Sequence, residues 1–314
     1  MKAKKIIYGI SVATLSTLML TACSTTASNS NSSKSSSSSK SSSSSKAKTT
    51  QVVKKQKVGK QIAGAKLKDG TYKLVEDNYD HGYKVKMSMT VKGGKVTDAT
   101  YDQVNKDGKS KTQDASYEKQ MKKYSKVGPK EYINTLSKEF KANGANINGI
   151  QVVSGATSSS DSMRNYASQL VQAAQKGATA TIHINNNAKY KDGTYKLETL
   201  NYDHGYHQVY TLTIKNGKIS DLKYDQVNKK GQSKTQNASY EKQMKKYSKV
   251  GPKEYIKKLR KEFLDNDGDM EKVQVVSGAT ESSNDFITYV SQLLNAAQKG
   301  NTKIIKVDNI LYKE

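Results

Sequence analysis

The residues best suited to chemistry form a tetrapeptide that occurs twice in the chain. Ser-Gly-Ala-Thr stands at residues 154–157 and again at residues 277–280, each time between a short apolar run and a segment of helical periodicity. The first turn of a helix leaves backbone N–H groups without partners and carries the positive end of the helix dipole, and both features favour a phosphate. The spacing therefore predicts a phosphate-bearing ligand at each copy. The candidate binding residues are Ser154, Gly155, Ala156, Thr157, Ser277, Gly278, Ala279 and Thr280.

The composition of the tetrapeptide fits this prediction. Its glycine and alanine leave room for a ligand to approach the backbone, and its threonine places a hydroxyl where the phosphate would lie. The alternative interpretation is a plain helix cap, because threonine is a favourable N-cap residue. The identity of the two copies favours a ligand, since nearby segments such as residues 141–149 and 264–272 have diverged.

Other ligand sites are poorly supported by the sequence. Cys23 is the only cysteine, which excludes disulfides, iron–sulfur clusters and attached c-type haem from the mature chain. Residues 265–269 begin like a calcium loop, but Met270 replaces the turn glycine, and we predict no metal site. His81 and His204 recur within Tyr-Asp-His-Gly-Tyr, which we interpret as a turn. Any redox chemistry would need an organic cofactor.

The N-terminal residues are typical of an exported lipoprotein. Three early lysines and an apolar run over residues 6–20 indicate a secretory signal, which is too short for a membrane span. The signal ends in Leu-Thr-Ala-Cys, which resembles a bacterial lipobox and predicts lipidation of Cys23. We therefore expect a signal peptide over residues 1–22 and a disordered Ser/Lys-rich tether over residues 23–62.

The charge of the chain indicates anionic surroundings. The formal net charge is +25, yet Arg164 and Arg260 are the only arginines. Because arginine is the preferred fork for phosphate and base recognition, this composition argues against nucleic acid as a partner. An exported, lysine-rich chain fits anionic wall polymers and lipid headgroups better, although lysines also keep a surface soluble.

An internal repeat divides the remaining chain into two domains. Residues 101–133 and 224–256 differ at three positions, and the offset of 123 residues holds through both tetrapeptides. A repeat of this length is a domain. We predict domains over residues 63–180 and 187–314, with Asn185–Asn187 in the linker between them.

The periodicity within one repeat predicts strands followed by helices. In the first copy the expected elements are a strand over 85–91, a turn at Gly93-Gly94, a strand over 95–103, helices over 114–126 and from Pro129 to Gly144, a short strand over 150–153, and a helix from the tetrapeptide to Gly177. This order predicts an α+β fold, with an antiparallel sheet and helices in each domain.

With both repeats delineated, the chain resembles the FMN-binding domain family of bacterial respiratory flavoproteins, found in sodium-pumping quinone reductases and Rnf-type complexes. The resemblance covers the opening Lys-Asp-Gly-Thr-Tyr (68–72 and 191–195), the strand–turn–strand of residues 210–224 and the closing Ser-Gly-Ala-Thr with its helix. The lipobox, tether and paired domains are similar to the electron-transfer lipoproteins of Gram-positive bacteria, which carry two such domains.

The resemblance implies two FMN groups, each joined through its phosphate to Thr157 or Thr280 by a separate flavin transferase that uses FAD. The family often has an aspartate three residues before the motif serine, where this chain has Gln151 and Gln274. The implied function is electron carriage on the outer face of a Gram-positive cell membrane. Electrons would pass from a quinone pool or NADH dehydrogenase to ferric iron or small quinones. The alternative is a cell-wall-binding or adhesion lipoprotein with no cofactor.

Overall fold

The computed structural model of the protein describes residues 58–313. The first half contains β1 (Gln61–Ala63), β2 (Gly70–Glu76), β3 (Lys84–Lys92), β4 (Lys95–Val104), α1 (Ala115–Ser125), α2 (Pro129–Asn143), α3 (Thr157–Lys176) and β5 (Ile182–Ile184). The second half contains β6 (Gly193–Thr199), β7 (His207–Lys215), β8 (Lys218–Val227), α4 (Ala238–Ser248), α5 (Pro252–Asp265), α6 (Thr280–Lys299), β9 (Ile305–Val307) and β10 (Leu311–Tyr312).

Each half has a four-stranded sheet covered by its helices. The strand orders are β4-β3-β2-β5 and β8-β7-β6-β9. Three strands of each sheet are antiparallel, as predicted, and the edge strands β5 and β9 add a parallel pairing to β2 and β6. The inward faces of sheet and helices form one hydrophobic core in each half. The predicted α+β class with two tandem halves is confirmed.

The opening Lys-Asp-Gly-Thr-Tyr has a structural role at the hairpin. The Asp69 carboxylate accepts hydrogen bonds of 2.9 Å from the N–H groups of both Gly93 and Gly94, at the turn between β3 and β4. These bonds lower the pKa of Asp69. The Tyr72 hydroxyl donates to the Lys68 carbonyl at 2.8 Å. The corresponding bonds recur in the second half, so this motif holds the hairpin turn against the start of β2 and of β6.

The structure corrects one predicted element and two predicted boundaries. Residues 150–153, predicted as a strand, belong to no sheet. The first sheet continues to Ile184, beyond the predicted domain end at residue 180. Gln61 and Ile62, assigned to the tether, lie in β1, which pairs with β10. Residues 1–57, with the signal peptide, Cys23 and most of the tether, lie outside the described residues. Within residues 58–313, no helix is long and apolar enough to span a bilayer.

The two halves meet along α3 and α6 through polar side chains. The hydrogen bonds between them are Arg164 to Asn284 at 3.1 Å, Asn165 to Asn295 at 3.1 Å, Gln172 to Gln292 at 3.0 Å and Gln292 to Ser168 at 3.1 Å. Most of these groups are buried. Because buried polar groups need partners, these hydrogen bonds favour the one relative position of the halves that pairs them all.

Asn186, from the predicted linker, reinforces this contact. Its side-chain NH₂ donates to Glu76 at 2.9 Å and to the Tyr166 hydroxyl at 2.7 Å, both in the first half. Its side-chain oxygen accepts a bond from Asn295 at 3.1 Å, and its backbone carbonyl accepts one from Gln298 at 2.8 Å. The linker is therefore part of the interface.

An acidic residue lies at the edge of the interface. Asp285 on α6 accepts hydrogen bonds from Asn148 of the first half at 3.0 Å and from Gln208 on β7 at 2.5 Å. Burial, followed by the nearby Glu281 carboxylate, raises the pKa of Asp285 to about 7. A carboxyl with a raised pKa binds more protons in the folded than in the unfolded state, so the free energy of unfolding falls as pH rises from about 4 to about 7.

We expect Asp285→Asn to remove this pH dependence. Thermal unfolding of the variant should gain on the wild type progressively from pH 4 to pH 8, because only the wild type must bury a carboxylate at high pH. Asp107→Asn, in an exposed turn, is the control and should leave the profile unchanged. A constant difference in melting temperature across this range would contradict the assignment.

Candidate functional site

Both tetrapeptides lie at the start of a long helix, as predicted. Helix α3 begins at Thr157 and α6 at Thr280, with Ala156 and Ala279 as N-cap residues. Neither N-cap makes a side-chain hydrogen bond. In contrast, α1 is capped by Asp114, whose carboxylate accepts from the Tyr117 N–H at 2.9 Å. The first-turn N–H groups of α3 and α6 therefore lack the side-chain acceptor that helices usually provide.

The segment before each tetrapeptide is held by side chains. The Ser160 hydroxyl accepts a hydrogen bond from the Val153 N–H at 3.0 Å and donates to the Ala156 carbonyl at 2.8 Å. The Arg164 guanidinium donates two bonds to the Ile150 carbonyl, at 2.6 and 3.0 Å. These partners replace a neighbouring strand, which explains why residues 150–153 are not β-structure. Ser283 repeats the serine arrangement in the second half.

The motif threonines are exposed, whereas the alanines before them are buried. Thr157 and Thr280 are both accessible at the first helical position, while Ala156 and Ala279 are 6% and 5% exposed. An accessible hydroxyl beside free N–H groups at the positive end of a 20-residue helix suits a phosphate ester. The residues present therefore fit the predicted phosphate-bearing group, with Thr157 and Thr280 as the side chains that would hold it.

The glycine of the motif has a different role from the one expected. Gly155 has φ +80° and Gly278 has φ +81°, in the left-handed region. A Cβ at Gly155 would overlap the Ser125 carbonyl oxygen at the end of α1, and one at Gly278 would overlap that of Ser248. The glycine therefore lets the motif loop pack against the preceding helix, and the space it leaves is filled by protein.

The structure also shows a pair of lysine cages that the sequence did not reveal. Each consists of a buried lysine whose ammonium lies over two tyrosine rings. The first cage is Lys111 with Tyr83 and Tyr117, and the second is Lys234 with Tyr206 and Tyr240. Only the near-identity of residues 101–133 and 224–256 marks these positions, because lysine is common throughout the chain.

The other titratable candidates lie outside the motif loops. His81 and His204 have φ +46° and +45° in exposed turns before β3 and β7, as predicted. Tyr101 and Tyr132 are buried in the core. Within residues 58–313 no group of histidines and carboxylates could hold a metal ion.

Comparison with known proteins decides the family. Residues 81–172 and 205–295, more than half of the chain, match the FMN-binding domain. The chain belongs to the FMN-binding domain family. Each matched segment contains one lysine cage and one motif threonine, so both FMN-binding domains carry the complete set of features described above.

Two relatives of the FMN-binding domains are informative. The chain is 34% identical over 119 residues to the 15 kDa lipoprotein of Treponema pallidum (strain Nichols), covering 38% of this chain and 84% of that protein. It is also similar to the crystal structure of the CPE2226 protein from Clostridium perfringens, with 35% identity and a TM-score of 0.35. That match covers 38% of this chain and 98% of the other. The resemblance predicted from the sequence is confirmed.

The contact between the motif glycine and α1 can be tested by substitution. Gly155→Ala should destabilise the protein more than Gly82→Ala, because both glycines have similar positive φ but only Gly155 faces a close neighbour. The backbone term costs about 1–2 kcal/mol in each variant, and overlap adds about 1–3 kcal/mol at Gly155. Urea unfolding measures both. Equal losses in the free energy of unfolding would mean that overlap with Ser125 does not add to the cost of the substitution.

Proposed function

We propose that this protein is a lipid-anchored extracellular electron carrier with two covalent FMN groups, joined through their phosphates to Thr157 and Thr280. The observation that carries the proposal is the exposed threonine at an uncapped helix start, repeated in two domains of an FMN-binding family. A single such helix start would be weak support, since many helices lack a cap. The same helix start recurs in both halves, each time with a buried serine that holds the loop before it. This repetition supports a role in binding the phosphate.

Attachment by a second protein is consistent with the residues around the threonines. A threonine hydroxyl is a poor nucleophile without a base, and no histidine lies near either tetrapeptide in the sequence. A flavin transferase that uses FAD would form the threonine Oγ–phosphorus bond and break the pyrophosphate bond, releasing AMP and the hydroxyl proton. The ester would keep the cofactor from being lost by dilution outside the cell.

The N-terminal sequence and one relative support the proposed lipid anchor. The lipobox ending at Cys23 predicts a lipid on that residue, and the Treponema pallidum relative is named a lipoprotein. A lipid together with the lysine-rich tether supplies the two signals that stable membrane attachment requires. The tether would hold both FMN-binding domains away from the membrane surface, where they could meet extracellular acceptors.

In this proposal the cofactor supplies the electron chemistry, and the protein supplies position and electrostatics. Donors would be a membrane quinone pool or an NADH dehydrogenase, and acceptors would be ferric iron or small quinones. The polar interface between α3 and α6 fixes the two domains to each other. The two attachment threonines are therefore held on one body.

Attachment is tested by replacing the threonines. After coexpression with a flavin transferase, the wild type should carry two FMN groups that survive denaturation. Thr157→Ala and Thr280→Ala should each carry one, and the double variant none, because each substitution removes the hydroxyl to which the ester is assigned. Absorbance and intact mass measure the content. Ser158→Ala, which removes the adjacent exposed hydroxyl, should keep both groups; two FMN groups on the double variant would refute the sites.

Electron carriage is tested with the same variants. Dithionite-reduced wild type should be reoxidised by ferric salts or small quinones. Cells with the double threonine variant should reduce extracellular ferric iron more slowly than cells with Ser158→Ala. The medium must lack free flavin, which could bypass a tethered carrier. An unchanged rate would reject the carrier role, and retained binding to wall polymers would then support the adhesion alternative.

A further inference from the structure

The buried lysines are unusual for a chain with so much lysine on its surface. Lys111 and Lys234 are 7% and 5% exposed, and each begins a short 3₁₀ helix after β4 or β8. The Lys111 ammonium lies 4.0 Å from the ring centroid of Tyr117, and that of Lys234 lies 4.5 Å from that of Tyr240. Aromatic faces attract the cation and hold it in place.

Carboxylates act on both ammonium groups. Among the described residues, no carboxylate oxygen lies within 4 Å of the Lys111 ammonium. The carboxylates that act on Lys111 from a greater distance are Asp80 and Asp114, and those that act on Lys234 are Asp203 and Glu281. Burial lowers the pKa of both lysines to about 8 despite these carboxylates.

A buried cation of this kind costs stability. Removing an ammonium from water is expensive, and cation–π contacts repay the desolvation only in part. An apolar residue of the same length would fill the site at lower cost. The chain nevertheless keeps the lysine in both halves, although Asp114 beside the first cage has become Asn237 beside the second. Such a cost is expected where a charge serves function.

The second cage is connected to the attachment site by two hydrogen bonds. The Lys234 ammonium donates to the Gln226 side-chain oxygen at 2.8 Å, and the Gln226 NH₂ group donates to the Ser282 hydroxyl at 3.4 Å. Ser282 lies two residues after Thr280 in the first turn of α6, about 5 Å away between Cα atoms. A flavin joined to Thr280 by its phosphate and ribityl chain would thus be within reach of this charge.

The first half has the equivalent residues around its cage. Gln103 takes the place of Gln226, and it accepts a hydrogen bond of 2.6 Å from the Tyr132 hydroxyl, as Gln226 accepts one of 2.9 Å from Tyr255. Ser159 corresponds to Ser282 in the first turn of α3. Two halves that have diverged elsewhere therefore preserve a cation at the same position relative to the motif threonine.

We propose that Lys111 and Lys234 set the reduction potential of the flavin in their own half, by placing a positive charge beside the ring. This rests on the proposed attachment to Thr157 and Thr280. Addition of two electrons and one proton to the oxidised ring leaves one negative charge, which a nearby ammonium stabilises. Each lysine therefore makes its flavin easier to reduce. Both act through their electrostatic field and form no covalent bond with the flavin.

The test compares neutral and charged replacements of Lys234 in full-length protein that also carries Thr157→Ala, so that one flavin is observed. Dithionite titration followed by absorbance gives the midpoint potential. Lys234→Met should lower the equilibrium constant for reduction by about tenfold, which is about 30 mV for a two-electron couple. Lys234→Arg should stay within about threefold of the parent. Lys223→Met, an exposed lysine on β8, should have no effect.

The pH profile separates a charge effect from a packing effect. The midpoint potential of the parent should be higher than that of Lys234→Met at low pH. This difference should disappear as pH rises through about 8, where the lysine loses its proton. The other titratable groups around the cage are Asp203, Glu281, Tyr206, Tyr240 and Tyr255, and these are present in both proteins. A merely structural lysine would change the melting temperature without producing this convergence.

Further outcomes distinguish this inference from the proposed function. No flavin on the denatured parent would refute the attachment. A bound flavin whose potential is the same in Lys234→Met and the parent would overturn only the role of the lysine. If Lys234→Met fails to fold, Lys234→Gln provides the neutral variant. In the parent alone, the slope of midpoint potential against pH should change near pH 8, and this test needs no substitution of the lysine. An unchanged slope would also overturn the proposal. Lys111→Met with Thr280→Ala should repeat the result in the first half.

Discussion

The hydroxyl of Ser160 fixes the geometry on which the rest of the site depends. It bonds the Val153 N–H and the Ala156 carbonyl, so the loop before α3 is held from the inside of the protein. The outer side of the helix start is left without a capping side chain. A cap would add about 1 kcal/mol, and it would occupy the N–H groups that favour an anion. Ser283 makes the equivalent two hydrogen bonds before α6, and the start of that helix also lacks a capping side chain.

This arrangement explains why the two copies of the motif share their glycine and alanine. Gly155 must be glycine because its backbone is left-handed and lies against the end of α1. Ala156 must be small because it is buried under the first turn. The side chains of Ser154 and Thr157 are exposed, and of these two the threonine lies at the first helical position. Packing therefore determines two of the four positions, and the threonine hydroxyl is available for chemistry.

The parts of the fold that could be predicted from sequence are those with local signals. Alternation over residues 85–91, the turn at Gly93-Gly94 and the proline and glycine that bound α2 each mark an element within a few residues. Residues 150–153 were predicted wrongly because an apolar run indicates burial but does not show whether a neighbouring strand is available. Strand β5 was missed for the converse reason, since its three residues pair only through a distant partner, β2. The lysine cages depend on tyrosines from separate segments, so no local pattern marks them.

The strand pair β1 and β10 has a topological consequence. It places the two ends of the described chain side by side, with the Lys313 N–H donating to the Lys60 carbonyl at 2.8 Å. A circular permutant would join these ends and open the chain between the halves. It would keep nearly every contact, although the second half would then precede the first in the sequence. The fold therefore does not depend on which half comes first in the sequence. An anchor attached at either end would suspend the molecule from the same point.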